Sequence, residues 1–151
     1  MVKLVESTID PATVYNSICS AFSGSVVFHY AVVKRQAGSG KSTTCIEYQT
    51  HGDTLQELED IAKELENGWK LEDVLLIRRI GRLDVGEIIS LVAASSPNSE
   101  DAFEACRHGI SRLKKMATIR KTEKFADTIL PSPDTQDACV NEVISTLPRY
   151  A

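Results

Sequence analysis

Two lysines, Lys114 and Lys121, stand in the most cationic stretch of this 151-residue chain. Between positions 107 and 124, seven basic residues accompany one acid, Glu123, although the whole chain carries a formal charge of −4. The basic residues are Arg107, Arg112, Lys114, Lys115, Arg120, Lys121 and Lys124. Lysines grouped in this way can bind an anion, stabilise developing negative charge or move a proton. A small cationic segment on an acidic protein indicates a confined anionic ligand, and it disfavours a nucleic-acid partner, which requires a broadly basic protein.

Lys114 falls near the end of a long predicted helix that Asn98 caps and that runs to about residue 116. At about 100° per residue, an apolar arc follows this helix. The arc consists of Phe103, Cys106, Ile110, Leu113 and Met116. Lys114 lies at the edge of the arc with Arg107 beside it, so it is either partly removed from water next to a second cation or snorkels with its ammonium in water. Lys121 lies beyond the helix and reaches the same cleft only if the chain folds back.

The elements that must position these lysines are predicted from hydrophobic periodicity and capping residues. Strands are predicted over residues 2–7, 24–34, 43–50, 74–80, 87–94 and 118–125, and helices over 11–22, 54–68 and 99–116. Asp53 is the predicted cap of the second helix. We expect the strands at 24–34 and 43–50 to pair with each other, and a turn to occupy 81–86. This order of elements predicts an α+β domain with a mainly antiparallel sheet.

The length and composition favour one domain. We expect this domain over residues 1–126, followed by a tail at 127–151. The tail is predicted to carry a short helix, from Thr135 to Leu147, that packs on the domain or on a partner. No apolar run approaches the roughly 20 residues that cross a bilayer, so no membrane association is expected. The first ten residues contain acids where a signal peptide would be apolar, and we therefore expect a cytoplasmic protein.

The segment AGSGKST, at residues 37–43, matches a nucleotide-binding P-loop only in part. A P-loop requires a glycine five residues before Gly40, where this chain has Arg35, and it leads into a helix rather than into a strand. A hairpin loop that contributes Lys41 or Arg35 to an anion is the favoured interpretation. Nucleotide binding is kept as a weaker alternative.

The cysteines and histidines show no spacing that is typical of a metal site. The four cysteines are far apart, which predicts buried free thiols rather than a disulfide framework. His29 alternates with apolar residues in a strand and is interpreted as a core histidine. The acids between Gln56 and Glu66 are interpreted as a solvated helix face. No metal and no cofactor are predicted.

Several segments resemble the large, catalytic subunit of molybdopterin synthase, over about residues 24–123. RRIGRLDVGE, at 78–87, is similar to that family's HRxGxLxxGE strand–turn–strand. AFEACRHGISRLK and the overlapping LKKMATIRKTE, at 113–123, are similar to its AFEA helix and its LKxxxPxWKKE segment. GSVVFHYAVVK, at 24–34, and IEY, at 46–48, are similar to its GAVVxFxGxVR and LEY-like strands. The AFEA helix with two lysines at the family spacing is the most specific part of the resemblance.

The resemblance implies an α/β hammerhead-like fold and a homodimer within a heterotetramer, in which each large subunit binds a ubiquitin-like small subunit. The C-terminal Gly-Gly thiocarboxylate of the small subunit would enter the active site, and two sulfurs, one from each thiocarboxylate consumed, would be added to cyclic pyranopterin monophosphate to create the dithiolene of molybdopterin. Lys114 corresponds to the main catalytic lysine of the family. Lys121 corresponds to the lysine that assists it and holds the anionic substrate. The resemblance implies no metal or cofactor for this step.

Some positions that the resemblance assigns to substrate binding depart from the family pattern. Asn98 and Ser99 stand where the family has His-Arg, which removes an imidazole and a guanidinium from the expected anion site. The family's strand arginine falls at Lys34 or, with a one-residue shift, at Arg35. The candidate substrate-binding residues are therefore Lys34, Arg35, Asn98, Ser99, Arg107 and Arg120. An alternative function is a non-catalytic relative that binds a ubiquitin-like protein or a pterin.

Overall fold

The computed structural model describes residues 1–18, 21–38 and 40–127. The strands are β1 (Val2–Val5), β2 (Ser25–Val32), β3 (Ala37–Gly38), β4 (Lys41–Thr50), β5 (Asp73–Arg79), β6 (Gly81–Asp84), β7 (Ile88–Ser96) and β8 (Ile119–Asp127). The helices are α1 (Pro11–Val14), α2 (Thr54–Gly68) and α3 (Ser99–Lys114). Within this part of the chain, no helix is both long enough and apolar enough to cross a bilayer. The predicted tail helix lies outside the described residues.

Two four-stranded sheets organise the molecule. The first sheet has the order β1–β5–β7–β2, in which β1 pairs with β5 in parallel and the other pairs are antiparallel. In the second sheet β4 pairs antiparallel with β3, β6 and β8. The prediction of an α+β class with mainly antiparallel pairing is confirmed, although the strands form two sheets rather than one.

The predicted pairing of β2 with β4 is wrong. β2 pairs with β7, and the end of β2 is held there by backbone hydrogen bonds from Val33 N–H to Glu87 O and from Gly86 N–H to Val33 O. The chain then turns away and enters the second sheet through the β3–β4 hairpin. An alternating pattern indicates which face of a strand is buried but not which strand lies beside it.

The predicted turn at 81–86 contains the short strand β6, which pairs with β4. Gly81 has a φ of 82°, a backbone conformation that favours glycine, and it lies where the chain leaves β5 in the first sheet for β6 in the second. This change of sheet brings the end of β5 close to β4. The same region later forms part of the cleft.

The helix caps were predicted more reliably than the helix lengths. The Asp53 carboxylate accepts a hydrogen bond from Gln56 N–H at the start of α2, and Asn98 accepts one from Asp101 N–H at the start of α3. Both predicted caps are confirmed. The first helix was predicted to reach residue 22, but it ends at Val14 and continues only as a short 3₁₀ turn. Residues of weak helix propensity, Val14 among them, account for the early end.

Small residues allow α3 to lie close against the first sheet. A side chain at Gly109 would approach Val92 Cγ1 to 2.9 Å and Leu65 Cδ1 to 3.1 Å, so only glycine fits between α2, α3 and β7. The buried residues of α3 are Ala102, Ala105, Cys106, Gly109 and Leu113. Phe103, which was predicted within the apolar arc, is 63% exposed, because the true arc is centred on the small residues beside it.

Two of the four cysteines lie in described segments, and both are buried free thiols, as predicted. Burial raises the pKa of the Cys106 thiol to about 11. Cys106 is therefore a packing residue that also donates its thiol hydrogen to Val92 O at 3.6 Å. Cys19 and Cys139 lie outside the described residues.

Candidate functional site

A cleft of about 570 Å³ opens between the two sheets and the C-terminal end of α3. Residues of β2, β7 and the end of β5 form its floor, and residues of β4 and β8 form one wall. The last turns of α3 form the other wall. The volume falls within the roughly 300–1,000 Å³ that is usual for small-molecule sites.

Strand register arranges the floor of the cleft in rows. Arg78 of β5 lies opposite Ser90 of β7, which in turn lies opposite Ala31 of β2. The next row lies two residues further along each strand, and there His29 of β2 lies opposite Val92 of β7. Because side chains alternate between the faces of a sheet, positions two apart present their side chains on the same face. All five residues line the cleft.

Lys114 and Lys121 line the same cleft. Helix α3 ends at Lys114, the chain turns, and β8 returns along β4 so that Lys121 lies directly opposite Tyr48. Alternation along β8 turns Ile119, Lys121 and Glu123 toward the cleft. The condition that the chain folds back is therefore met. Lys114 is solvent-exposed, which agrees with the snorkelling interpretation rather than with desolvation.

Glu57, in the first turn of α2, holds the turn that separates the two lysines. Its carboxylate accepts hydrogen bonds from Ala117 N–H at 2.8 Å, Thr118 N–H at 3.0 Å and Thr118 Oγ1–H at 2.6 Å. Burial alone would raise the pKa of Glu57, but these hydrogen bonds outweigh burial and hold it below its usual value. Thr118 O also accepts a hydrogen bond from His51 N–H at 2.9 Å. The interpretation of the α2 acids as a solvated face is wrong for Glu57.

Glu123 is the one acid among the described residues that line the cleft. It accepts a hydrogen bond from Thr43 Oγ1–H at 2.6 Å and forms an ion pair with Lys121 Nζ at 3.1 Å. The hydrogen bond from Thr43 is the main reason that the pKa of Glu123 is lowered, and the charges of Lys121 and Lys34 lower it further. Glu123 therefore orients Lys121 and neutralises part of the cationic cleft.

His29 faces the cleft and is not the core histidine that the sequence indicated. Partial burial lowers its pKa, and the positive charge of Lys114 lowers it further. The imidazole is therefore held largely neutral near pH 7 and within electrostatic reach of the Lys114 ammonium. A neutral imidazole can accept or donate a hydrogen bond to a ligand in the cleft.

Arg78 is a cleft residue that sequence reasoning missed. It is 7% exposed, and its guanidinium carbon lies 4.3 Å from the centre of the Tyr48 ring. Burial lowers the pKa of Arg78, and Tyr48 partly opposes that effect. The sequence did contain a signal for its burial. Side chains alternate along β5, so Arg78 must lie on the same face of the strand as Val74 and Leu76.

The candidate substrate-binding residues differ in their positions. Lys34 lines the cleft, whereas its neighbour Arg35 does not. Asn98 and Ser99 lie at the start of α3, about 24 Å from the end of the helix at a rise of about 1.5 Å per residue. They do not line the cleft of their own chain. Contact of Arg35, Asn98 and Ser99 with substrate stays a prediction.

Arg107 and Arg120 also lie away from the cleft. Arg107 is paired with Glu104 of the preceding helical turn. Arg120 alternates with Lys121 on β8 and falls on the opposite face of that strand, as does Lys124, which pairs with Glu47 at 3.3 Å. Contact of Arg107 and Arg120 with substrate stays a prediction.

The AGSGKST segment is not a P-loop. Ala37 pairs with Ser42 and Gly38 with Lys41, so the segment forms the β3–β4 hairpin. The chain continues as the strand β4 rather than as a helix whose N-terminus could bind phosphate. The predicted hairpin is confirmed, whereas contact of Lys41 or Arg35 with an anion stays a prediction. The nucleotide-binding alternative loses its structural basis.

The fold and the cleft define a small α+β protein in which two sheets enclose a cationic site. The family model of the MoaE protein matches residues 4–116. The chain belongs to the MoaE family. The match includes Lys114 and Arg78 and ends shortly before Lys121.

Relatives in the family carry the name molybdopterin synthase catalytic subunit. The protein from Nostoc sp. is 37% identical over 107 residues, which cover 70% of this chain and 64% of that protein. The Bacillus subtilis protein is 29% identical over 126 residues, which cover 83% of this chain and 80% of that protein. The protein from Halalkalibacterium halodurans is matched over 60% of its length. The chain thus spans less than two thirds of the Nostoc and Halalkalibacterium relatives.

Solved structures have the same fold. The crystal structure of molybdopterin synthase from Staphylococcus aureus superimposes with a TM-score of 0.75 at 26% identity, over 82% of this chain and 90% of that one. A complex of subunits 1 and 2 of molybdopterin-converting factor from Helicobacter pylori matches with a TM-score of 0.63 at 16% identity, over 81% and 83% of the two chains. The second likeness shows the fold alone.

Proposed function

We propose that this chain is the catalytic subunit of a molybdopterin synthase. It transfers sulfur from the C-terminal thiocarboxylate of a ubiquitin-like small subunit to cyclic pyranopterin monophosphate, and the product is the dithiolene of molybdopterin. The observation that carries the proposal is the meeting of Lys114 and Lys121 in one small-molecule cleft. Membership of the MoaE family and the names of its relatives support the same activity.

The charges of the cleft suit both reactants. The thiocarboxylate of the small subunit and the cyclic phosphate of the pterin are both anions. The two reactants must come close together for sulfur to be transferred. Lys34, Arg78, Lys114 and Lys121 line the cleft against a single acid among its described residues, Glu123. Fixed cations reduce the repulsion between the reactants and stabilise negative charge that develops during the reaction.

The two lysines take different roles in this proposal. Lys114 is exposed and lacks an ion-pair partner among the described residues, so its ammonium is available to the reacting centre for charge stabilisation or proton transfer. Lys121 is held by Glu123, so it assists from a fixed position and helps to bind the anionic substrate. The neutral imidazole of His29 adds a hydrogen-bonding group close to Lys114.

The proposed assembly is the one that the resemblance to the large subunit of molybdopterin synthase implies. The small subunit binds so that its C-terminus enters the cleft, and two copies of this chain form a homodimer within a heterotetramer in the cytoplasm. Residues 1–126 form the catalytic domain in this proposal. A complex between subunits of molybdopterin-converting factor has been solved for the Helicobacter pylori protein, whose fold this chain shares.

A second candidate function is a non-catalytic relative that binds a ubiquitin-like protein or a pterin. The observation that favours it is the presence of Asn98 and Ser99 in place of the family's His-Arg. Both residues serve the structure of α3, because Asn98 caps the helix and accepts a hydrogen bond from Asp101 N–H at 2.9 Å. The retained pair of lysines favours the catalytic function over this candidate.

Reconstitution separates the two functions. The full chain is mixed with a thiocarboxylated small subunit and cyclic pyranopterin monophosphate, and the dithiolene product is measured. The catalytic function predicts product that depends on all three components. Binding of the small subunit without any product would refute the catalytic function and support the binding module. A Lys115→Ala variant, which alters an exposed lysine outside the cleft, serves as the matched control and should retain the wild-type rate.

A further inference from the structure

Arg78 and Arg79 are adjacent on β5, and the strand turns them to opposite faces of the first sheet. Both are buried, with exposed fractions of 7% and 6%. The charge of Arg79 is compensated, because its Nε donates to Glu6 O at 3.2 Å and its Nη1 forms an ion pair with the Glu87 carboxylate at 3.1 Å, although Nη1 makes no hydrogen bond of good geometry with a described residue. The pair therefore allows a direct comparison of two buried guanidinium groups on one strand.

Arg78 lacks a carboxylate partner in the described part of the chain, and only Tyr48 partly offsets the burial of its charge. No carboxylate among the described residues forms an ion pair with it, and its Nε has no hydrogen-bond partner there. Its main contact is the face of the Tyr48 ring. A guanidinium cannot lose its proton under ordinary conditions, so burial without an anion is costly. Buried arginines are normally paired, and an unpaired one that lines a cavity indicates that a ligand completes its environment.

The position of Arg78 suits an anion that enters the cleft deeply. It lies in the floor beside Ser90, whereas Lys114 is exposed and Lys121 is already paired with Glu123. The guanidinium is planar and can donate two parallel hydrogen bonds to one oxyanion, which a lysine cannot do. The stacked Tyr48 ring limits the orientations that this plane adopts.

We propose that Arg78 is an anion-binding residue of the cleft and that it holds an oxyanion of the ligand, a phosphate or a carboxylate, at the cleft floor. The inference rests on the proposed function and deepens it, because it names the residue that anchors the anionic end of a reactant. Asn98 and Ser99 stand where the family has His-Arg, so this chain lacks the family's guanidinium at that position. Arg78 supplies a guanidinium to the cleft from another strand of the same chain. The oxyanion comes either from the cyclic phosphate of the pterin or from the C-terminus of the small subunit.

Nuclear magnetic resonance tests the proposal directly on the full chain. The Nε–H resonance of Arg78 is assigned by its loss in Arg78→Met and is followed while inorganic phosphate is added. A second titration uses a peptide that ends in Gly-Gly with a free carboxylate. A shift of the Arg78 resonance with phosphate supports a phosphate-binding site, and a shift with the peptide supports a carboxylate-binding site. A resonance that moves with neither probe overturns the inference.

Two arginine variants separate anion binding from a structural role. Arg78→Met should weaken binding of the effective probe by about tenfold or more, and Arg78→Lys should weaken it less, because charge is kept while the bidentate geometry is lost. Removing an unpaired buried charge should also leave Tm of the free protein equal to or above the wild-type value. Unchanged affinity in Arg78→Met together with a lower Tm would assign Arg78 to structure and refute the proposal.

The control variant is Arg112→Met, which removes an arginine that is paired with Glu64 outside the cleft. Its affinity for either probe should match that of the wild type. None of these measurements includes sulfur transfer. A chain that binds the anion through Arg78 but forms no dithiolene would therefore refute the proposed function and leave this inference intact.

Discussion

Cations on the outer face of α3 are paired with carboxylates, whereas most cations of the cleft are not. On the outer face, Arg112 Nε lies 2.9 Å from Glu64 and His108 Nε2 lies 2.6 Å from the same carboxylate, while Arg107 is paired with Glu104. In the cleft, Lys34, Arg78 and Lys114 have no carboxylate within ion-pair distance among the described residues, and only Lys121 is paired. The cationic segment at 107–124 therefore contains two sets of residues, an outer set that is paired with acids and a cleft set that faces the ligand site.

This difference shows why the charge of a segment is a poor guide to its function. The acids of α2 and α3 neutralise the outer cations, so the outer set stabilises the packing of one helix against the other. The cleft set retains its positive charge for a ligand. Its members come from the connection after β2, from β5, from β8 and from the end of α3, and only two of them lie in the cationic segment.

The largest effect is expected from Lys114→Ala, which removes the exposed, unpaired cation at the end of α3. Under the proposed function, the rate of dithiolene formation should fall by about 10²–10³-fold, because a preorganised charge at the reacting centre is lost. The rate is measured in the reconstituted assay. The unfolding free energy should change little, because Lys114 has no paired partner in the described chain.

Lys115→Ala is the comparison for this variant, because it removes the next residue, which is exposed and does not line the cleft. It should retain both the rate and the stability of the wild type. Equal rates for Lys114→Ala and the wild type would remove Lys114 from the catalytic machinery. Equal losses in the two lysine variants would show that total charge, rather than the cleft, is responsible.

Glu57→Ala should give the next largest effect, now on stability. The variant removes three hydrogen bonds that hold the turn between Lys114 and Lys121. Loss of a carboxylate that satisfies two backbone N–H groups should cost about 1–3 kcal/mol in the unfolding free energy, measured by urea denaturation. Dithiolene formation should also slow, because the two lysines lose their fixed separation.

The pH dependence provides the control for Glu57. Its pKa lies below the ordinary 4.5 in the folded protein, so its contribution to stability is present above pH 4.5 and is lost as the pH falls through the lowered pKa. The difference in stability between the wild type and Glu57→Ala should shrink over that acid window. Glu66→Ala, which alters an exposed acid of the same helix, should show neither effect. A constant difference at all pH values would contradict the assigned role of the carboxylate.

The contrast between these residues also indicates what sequence can predict. Helix α3, its cap at Asn98 and the edge position of Lys114 follow from local periodicity, and all three were predicted. Arg78 and Glu57 were not recognised because their roles depend on contacts with distant segments. Arg78 meets Tyr48 only because β5 and β4 belong to two adjoining sheets, and strand patterns do not specify partners. The resemblance pointed to the lysines but not to the buried guanidinium.

A smaller effect is expected from His29→Phe. The pKa of His29 lies below the ordinary 6.5 in the folded protein, so the unfolded chain takes up the proton first as the pH falls. The wild type should lose stability as the pH falls from 6.5 through the lowered pKa, and this loss should be smaller in the variant. Urea denaturation at about pH 7.5 and about pH 5.5 measures the difference. A steeper loss in His29→Phe than in the wild type would contradict the partly buried position beside Lys114.

The smallest effect is expected on the outer face, from Glu64→Gln. Its carboxylate and its partner Arg112 are both 42% exposed, and ion pairs with that exposure contribute about 0.2–1 kcal/mol. The hydrogen bond with His108 is the main cause of the lowered pKa of Glu64, so the small contribution should be lost as the pH falls below 4.5. Added salt should reduce the difference between Glu64→Gln and the wild type, and dithiolene formation should not change. A large loss of activity in this variant would mean that the outer cations take part in the reaction, and the distinction between the two faces of the molecule would fail.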